Sequence, residues 1–218
     1  VKITVSVLLL ALAVICCCVL AQPVRISMPL GDTALRQKIQ QQVSTAYLQL
    51  GYQPQFVELP SQRRLHLLRE GDIEADLFRI CPLDDTDPAL QVVPVALDKL
   101  SLNAYSLSAV TLIDWRERHD LLISHIRGFK MAELQDFSGK RITVANDEQA
   151  FGLMLQGRVD IVLEDSRTAE SLLNSEPEAQ VVWQTVADYT ICHVVNQSLY
   201  PLIPALSEQL ALTTEASH

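Results

Sequence analysis

The stretch Gly139–Asp165, GKRITVANDEQAFGLMLQGRVDIVLED, leaves the chain few folds to adopt. Arg141–Ala145 is a short β-branched run, and Asn146 or Asp147 follows as a helix cap. Ala150, Phe151, Met154 and Leu155 then give that helix an apolar face. Gly157 closes it as a left-handed C-terminal cap. Val159–Leu163, apolar apart from Asp160, is a second strand, and Asp165 stands where it runs out. Open α/β sheets bind ligands at the carboxyl ends of their strands, so Asp165 is a candidate ligand residue.

The same alternation fills the earlier part of the chain. Val24–Pro29 predicts a first strand. Asp32 can cap a helix whose apolar residues Leu35, Ile39, Val43, Ala46, Tyr47 and Leu50 follow helical spacing to Gly51. Pro54–Leu59 is a second strand, Ser61 caps a helix running through Leu65 and Leu68 to Gly71, and Ala75–Ile80 is a third strand. This order implies a parallel sheet with right-handed crossovers. A polar segment, Pro82–Pro88, separates it from Val92–Val95 and the extended run Leu100–Leu107. A second α/β unit begins near Val110, with a strand at Leu121–Ile126, a turn at Arg127-Gly128 and a short helix over Phe129–Gln135. Beyond Asp165 come a helix near Thr168–Leu173, strands at Val181–Trp183 and Tyr189–Asn196, and a helix Pro201–Leu212 with Pro201 in its first turn. Two α/β units, each too small for a large domain, suggest two lobes around a cleft.

The first residues bear on the compartment. Lys2 precedes an unbroken apolar run from Val7 to Ala21, and Val19-Leu20-Ala21 offers small or aliphatic residues for cleavage before Gln22. The pattern predicts a signal peptide over residues 1–21; a retained anchor or lipidation at Cys16, Cys17 or Cys18 is the alternative. The formal charge of −9 becomes −10 once Lys2 is removed. That balance, with no cation run longer than Arg63-Arg64, excludes nucleic acid and anionic membrane as expected partners. Two cysteines, Cys81 and Cys192, lie outside the signal segment. A secreted chain makes them candidates for a disulfide, and two buried thiols are the other reading.

Three segments carry a family resemblance: LPSQRRLHLLREGDIEADLFRI, HIRGFKMAELQDF and MLQGRVDIVLED. Together they resemble the type II periplasmic solute-binding proteins, of the family-3 extracellular group known for amino-acid receptors. The resemblance spans nearly the whole chain after residue 21 and looks closest to a short, poorly characterised branch. It implies a two-lobed α/β fold, each lobe a mainly parallel sheet flanked by helices, joined by two crossing strands. Lobe one would comprise residues 22–102 and 190–218, and lobe two residues 103–189. The function implied is a non-enzymatic, monomeric periplasmic protein that captures a small polar, anionic or amino-acid-like solute by hinge closure. It would serve an inner-membrane transporter or sensor, without a cofactor. The resemblance also sets the returning strand beside the third strand of lobe one, which would bring Cys81 and Cys192 within bridging distance. The aromatic-rich segment usual after the first strand is Met28-Pro29-Leu30-Gly31-Asp32 here, so the solute stays unnamed.

In that frame Arg79, near the end of the third strand, matches an arginine that clamps a ligand carboxylate. Arg127, beside Gly128 and a helix start, is a second candidate for an anion, and Asp165 would take an α-ammonium. Against these stand a salt-bridged strand-end arginine, an exposed turn cation and a helix cap. Arg63 is read as a structural tie from its helix to Glu70, Asp72 or the sheet, and Asp160 as a backbone-bonding residue. Tyr105 and Trp183 suit core or hinge packing, and His125 a packed or solvated site. No nucleophile elbow, zinc-protease motif, CxxC or phosphate loop is present, and the five histidines lack metal-ligand spacing. Two alternatives remain: a ligand-free interaction protein on the same fold, and a dehydratase-type enzyme.

Overall fold

The structure, a computed structural model, describes residues 21–81, 88–175 and 178–215. The segment expected to be a signal peptide, up to residue 20, most of the polar segment after Cys81, and His218 lie outside them.

The first half of the chain folds as the alternation requires. Strands β1 (Gln22–Met28), β2 (Tyr52–Glu58) and β3 (Ala75–Cys81) are parallel, with β1 between the other two. Helix α1 (Ala34–Gln49) buries Leu35, Ile39, Val43, Ala46 and Tyr47, the stripe read from the sequence. Its cap is Thr33 rather than Asp32: the Thr33 hydroxyl accepts from the Arg36 amide at 3.2 Å. Asp32 instead takes the Arg36 guanidinium and the Gln37 side-chain amide. Helix α2 (Ser61–Glu70), unlike α1, has no side-chain cap: Pro60 holds the cap position, and Ser61, expected to cap, is the first helical residue and donates its hydroxyl elsewhere.

Strand β4 (Leu90–Val92) is followed by β5 (Asp98–Ser106). The second half contains β6 (Leu122–Ile126), the one-turn helix α3 (Lys130–Glu133), β7 (Lys140–Val144), α4 (Asp147–Leu155), β8 (Ile161–Asp165) and α5 (Ser166–Leu173). Asn146 caps α4, its side-chain oxygen accepting from the Gln149 amide at 3.0 Å. Asp160 bonds backbone, as read from the sequence: its Oδ2 accepts from the Leu122 amide at 2.7 Å. The two strands expected near Val181 and Tyr189 form one 15-residue strand, β9 (Val182–Asn196). A 3-10 turn holding Pro201 then leads into α6 (Ile203–Glu215).

One curled sheet runs through the molecule in the order β2-β1-β3-β9-β5-β8-β6-β7, with β4 on β9. β5 and β9 pair antiparallel from Asp98↔Ile191 to Ser106↔Val182 and carry the sheet from one lobe into the other. A large core lies under α1 and α6, and a smaller one gathers Tyr105, Phe151, Met154 and Val162. Cys81 and Cys192 are joined as a disulfide between β3 and β9, with their Cα atoms 5.9 Å apart.

In the large core a buried polar pair links α1 to β9. His193 Nε2 lies 2.9 Å from the Tyr47 hydroxyl and Nδ1 lies 3.2 Å from the Leu77 carbonyl, which fits a neutral ring protonated at Nδ1. Burial pushes the imidazole down to about 4, although the Leu77 carbonyl and Asp76 pull the other way. The unfolded chain binds the proton first, so this contribution is complete above about pH 6.5 and is lost as pH falls through about 4. Urea titrations from pH 7 to 4 are expected to show up to about 3 kcal/mol more acid loss in the parent than in His193→Gln. Parallel curves for the two proteins would remove His193 from the account.

Candidate functional site

A cleft of about 320 Å³ opens between the lobes, at the lower end of the size range for small-molecule sites. Its first wall is built by β3 and the start of α2. Residues three apart in a regular strand face opposite sides. The register shift between Asp76 and Arg79 in the β3–β9 pairing breaks that alternation. Arg79 Nε consequently donates to Asp76 Oδ2 at 2.8 Å, and Arg79 Nη2 to the Ser61 carbonyl at 3.2 Å. From α2, Arg64 Nη1 donates to the other Asp76 oxygen at 2.8 Å. Two buried guanidiniums thus share one carboxylate that is 0 % exposed, leaving a net positive charge on this wall. Burial pushes Arg64 down to about 10, with Asp76 opposing and Arg79 adding to the fall, so it stays charged at neutral pH. Arg64 was missed in the sequence, although it lies four residues before Leu68 on the inward face of the helix. Arg63, expected as the tie to the sheet, is exposed.

The second wall is acidic. Asp165 ends β8, caps α5 and lines the cleft; its Oδ1 accepts from the Arg167 and Thr168 amides at 3.0 and 2.9 Å. Of the two readings made of Asp165, the cap is observed, and the same residue faces the cleft. Glu164, Asp147 and Glu148 line the same wall. Arg127 does not join Arg79 and Asp165: it is exposed and outside the cleft lining. His125 is packed, its Nδ1 2.8 Å from the Ile126 carbonyl and its Nε2 2.9 Å from Arg141. Trp183 is 60 % exposed and Tyr105 packs on Phe151, so neither lines the cleft. Aromatic surface comes instead from Phe78 and Phe129.

The walls touch. The Ser61 hydroxyl donates to the Gly128 carbonyl at 2.8 Å. Asp98 takes Lys38 of α1 at 3.2 Å and Arg167 of α5 at 3.0 Å.

No family model matches the sequence, and no curated protein does. Solved structures match throughout. A histidine kinase sensor domain with similarity to periplasmic binding proteins superposes at TM-score 0.74 and 13% identity, over 90% of this chain and 92% of its own. An amino acid ABC transporter substrate-binding protein from Streptococcus pneumoniae, bound to L-arginine, matches at TM-score 0.71 and 10% identity, over 89% and 90%. The chain has the type II periplasmic-binding-protein fold. Holo ArgBP from T. maritima shares this binding-protein fold at TM-score 0.69 and 12% identity, over 87% and 89%. In the type II arrangement β5 and β9 are the crossing strands, and the cleft lined by Arg79 and Asp165 lies between the lobes they join.

Proposed function

We propose that this protein is a non-enzymatic solute-binding protein that captures a small amino-acid-like solute in the inter-lobe cleft. The opposed charge of the walls carries the reading. Arg64 and Arg79 hold donors that no described group takes, Nη2 of the first and Nη1 of the second, and these suit a carboxylate. Asp165, across the cleft, suits an ammonium. A zwitterion satisfies both walls at once, whereas a simple anion satisfies only one. The neighbours that bind amino acids agree with this choice of solute.

The lobes divide on the crossing strands, near residues 102/103 and 189/190, and closure over the solute is the working motion. The expected site of action is the periplasm. The Cys81–Cys192 disulfide suits an oxidising compartment, and no helix among the described residues is long and apolar enough to cross a membrane. A monomer that hands its solute to an inner-membrane transporter, or reports it to a sensor, completes the proposal.

Differential scanning fluorimetry against amino acids and carboxylates tests it. A solute at about 100 times its Kd should add about 2.7 kcal/mol of stability and raise Tm accordingly. No shift with any of them at millimolar concentration would leave the ligand-free interaction protein as the better account.

A further inference from the structure

Arg79 is carried by a strand end that is held on one side only. β1 pairs with β3 at Ala75 and Asp76, through Ile26 and Ser27. Past Asp76 no described strand pairs the outer edge of β3, and its inner edge alone meets β9, at Arg79↔Cys192, Ile80↔Ile191 and Cys81↔Thr190. Between these two stretches Leu77 and Phe78 stand opposite the single residue His193. A bulge of this kind leaves a residue out of the ladder and lets the strand bend. The end bearing Arg79 is thus a projecting segment with a break at its root. β9 differs at the same level: Ile191 pairs with Ile80 on one side and with Asp98 of β5 on the other.

The disulfide joins these two unequal partners. Facing residues of an antiparallel pair point to one side of the sheet, and so do residues two apart on a regular strand. Cys192 faces Arg79, and Cys81 follows Arg79 by two, so the bridge and the guanidinium share one face. It is the face covered by α2, where Leu68 packs on Val194 and where Asp76 and the Ser61 carbonyl take Arg79. The bridge therefore ties down the projecting end on the far side of Arg79 from the bulge. A disulfide placed for stability alone needs only to close a long loop. This one closes the strand end that carries a donor of the cleft.

We infer that the Cys81–Cys192 bridge is a positioning element of the solute site: it pins the bulged end of β3 to the crossing strand, holds the Arg79 guanidinium on Asp76, and makes solute affinity depend on a closed bridge. The consequence for affinity rests on the amino-acid reading above, whereas the position of Arg79 is read without a solute. Opening the bridge takes a reductant, and a dithiol supplies it by exchange. The two sulfurs of the dithiol bond to each other, the Cys81–Cys192 bond breaks, and two electrons and two protons pass to the cysteines as two thiols. Cys192 is 4 % exposed and Cys81 is half-buried, so the reagent meets the bridge from the Cys81 side.

Proton exchange at the arginine Nε–H groups, followed by NMR on arginine-labelled protein, tests the position directly. The parent is compared before and after dithiothreitol, and with Cys81→Ser/Cys192→Ser; loss of a signal in Arg79→Met assigns Arg79. With the bridge open, exchange at the Arg79 Nε–H is expected to be at least about 10-fold faster. The Arg36 Nε–H, buried elsewhere in the same lobe, should keep its rate, whereas a general loss of stability would speed both. Calorimetry then uses L-glutamate and L-arginine, which share the carboxylate and ammonium and differ in side-chain charge. Opening the bridge should weaken binding at least about 10-fold in the parent and not in Arg79→Met. Unchanged exchange at Arg79, acceleration shared by Arg36, or affinity that ignores the bridge would overturn the positioning role. If neither amino acid binds, the solute reading falls and exchange at Arg79 still decides the position. Should the serine pair not fold, Cys81→Ala/Cys192→Val replaces it; if that also fails and dithiothreitol unfolds the parent, the bridge is a requirement of the fold and the narrower role is overturned.

Discussion

Replacing Asp76 with alanine is expected to destabilise the folded protein by about 3–5 kcal/mol, the range for breaking a buried ion pair by removing one partner. The reason lies in what stays behind. Arg64 and Arg79 are both buried and both bonded to this carboxylate, so its loss leaves two desolvated guanidiniums facing each other. Neither has a described carboxylate to turn to, and the Ser61 carbonyl already serves Arg79. The double variant Asp76→Ala with Arg64→Met should be more stable than the single one, because it removes one of the stranded charges. That sign of coupling separates electrostatics from simple loss of packing. A carboxylate-bearing solute should also stabilise Asp76→Ala more than the parent protein. Chemical denaturation of the four proteins of the cycle measures the coupling. A loss below about 1 kcal/mol, or strict additivity, would mean that water already screens the trio.

This trio also marks where sequence reading stopped. Helix and strand positions were legible wherever apolar residues kept one period: α1 from Leu35 to Tyr47, and β8 from its run before Asp165. The cap of α4 was legible to within one residue, Asn146 or Asp147, because short polar side chains suit the start of a helix; the structure takes Asn146. Thr33 over Asp32 was not, since both residues can cap and Arg36, in the first turn of the helix, takes the Asp32 carboxylate with its side chain and the Thr33 hydroxyl with its amide. β9 was read as two strands because Gln184, Thr185 and Asp188 interrupt the apolar pattern; its middle is held by pairing with β5, which is invisible locally. Arg79 and Asp165 were placed near strand ends by the sequence, and both line the cleft. Arg64 could have been found from two signals read together. Asp76 is an acid inside an apolar strand and therefore needs a partner, and Arg64 shares the inward face of α2 with Leu68. Asp147 and Glu164 were not separable from ordinary first-turn and strand-end acids. Their distinction comes from being set against Asp165 by two different elements.

Gly128→Ala is expected to keep the lobes from closing and to lower solute affinity by about 10-fold or more, a loss of at least about 1.4 kcal/mol. Gly128 has φ +79°, a conformation that costs a side-chain-bearing residue about 1–2 kcal/mol by itself. It also sits against the other lobe: an added Cβ would lie 2.9 Å from the Gln62 amide nitrogen and 3.0 Å from its Cα. Backbone at that distance cannot swing aside as a side-chain tip can, so the start of α2 must retreat. The two penalties fall on different measurements. Backbone strain at φ +79° persists in any arrangement of the lobes and lowers Tm, whereas the clash with Gln62 disappears when the lobes part and so opposes closure alone. Ser61→Ala is the matched control, since it removes the hydrogen bond to the Gly128 carbonyl without adding bulk, at about 1 kcal/mol. Small-angle scattering with and without solute should show the parent contracting, Ser61→Ala contracting at higher solute concentration, and Gly128→Ala remaining expanded. A Gly128→Ala protein that contracts like the parent and binds as tightly would show that this contact is incidental to closure.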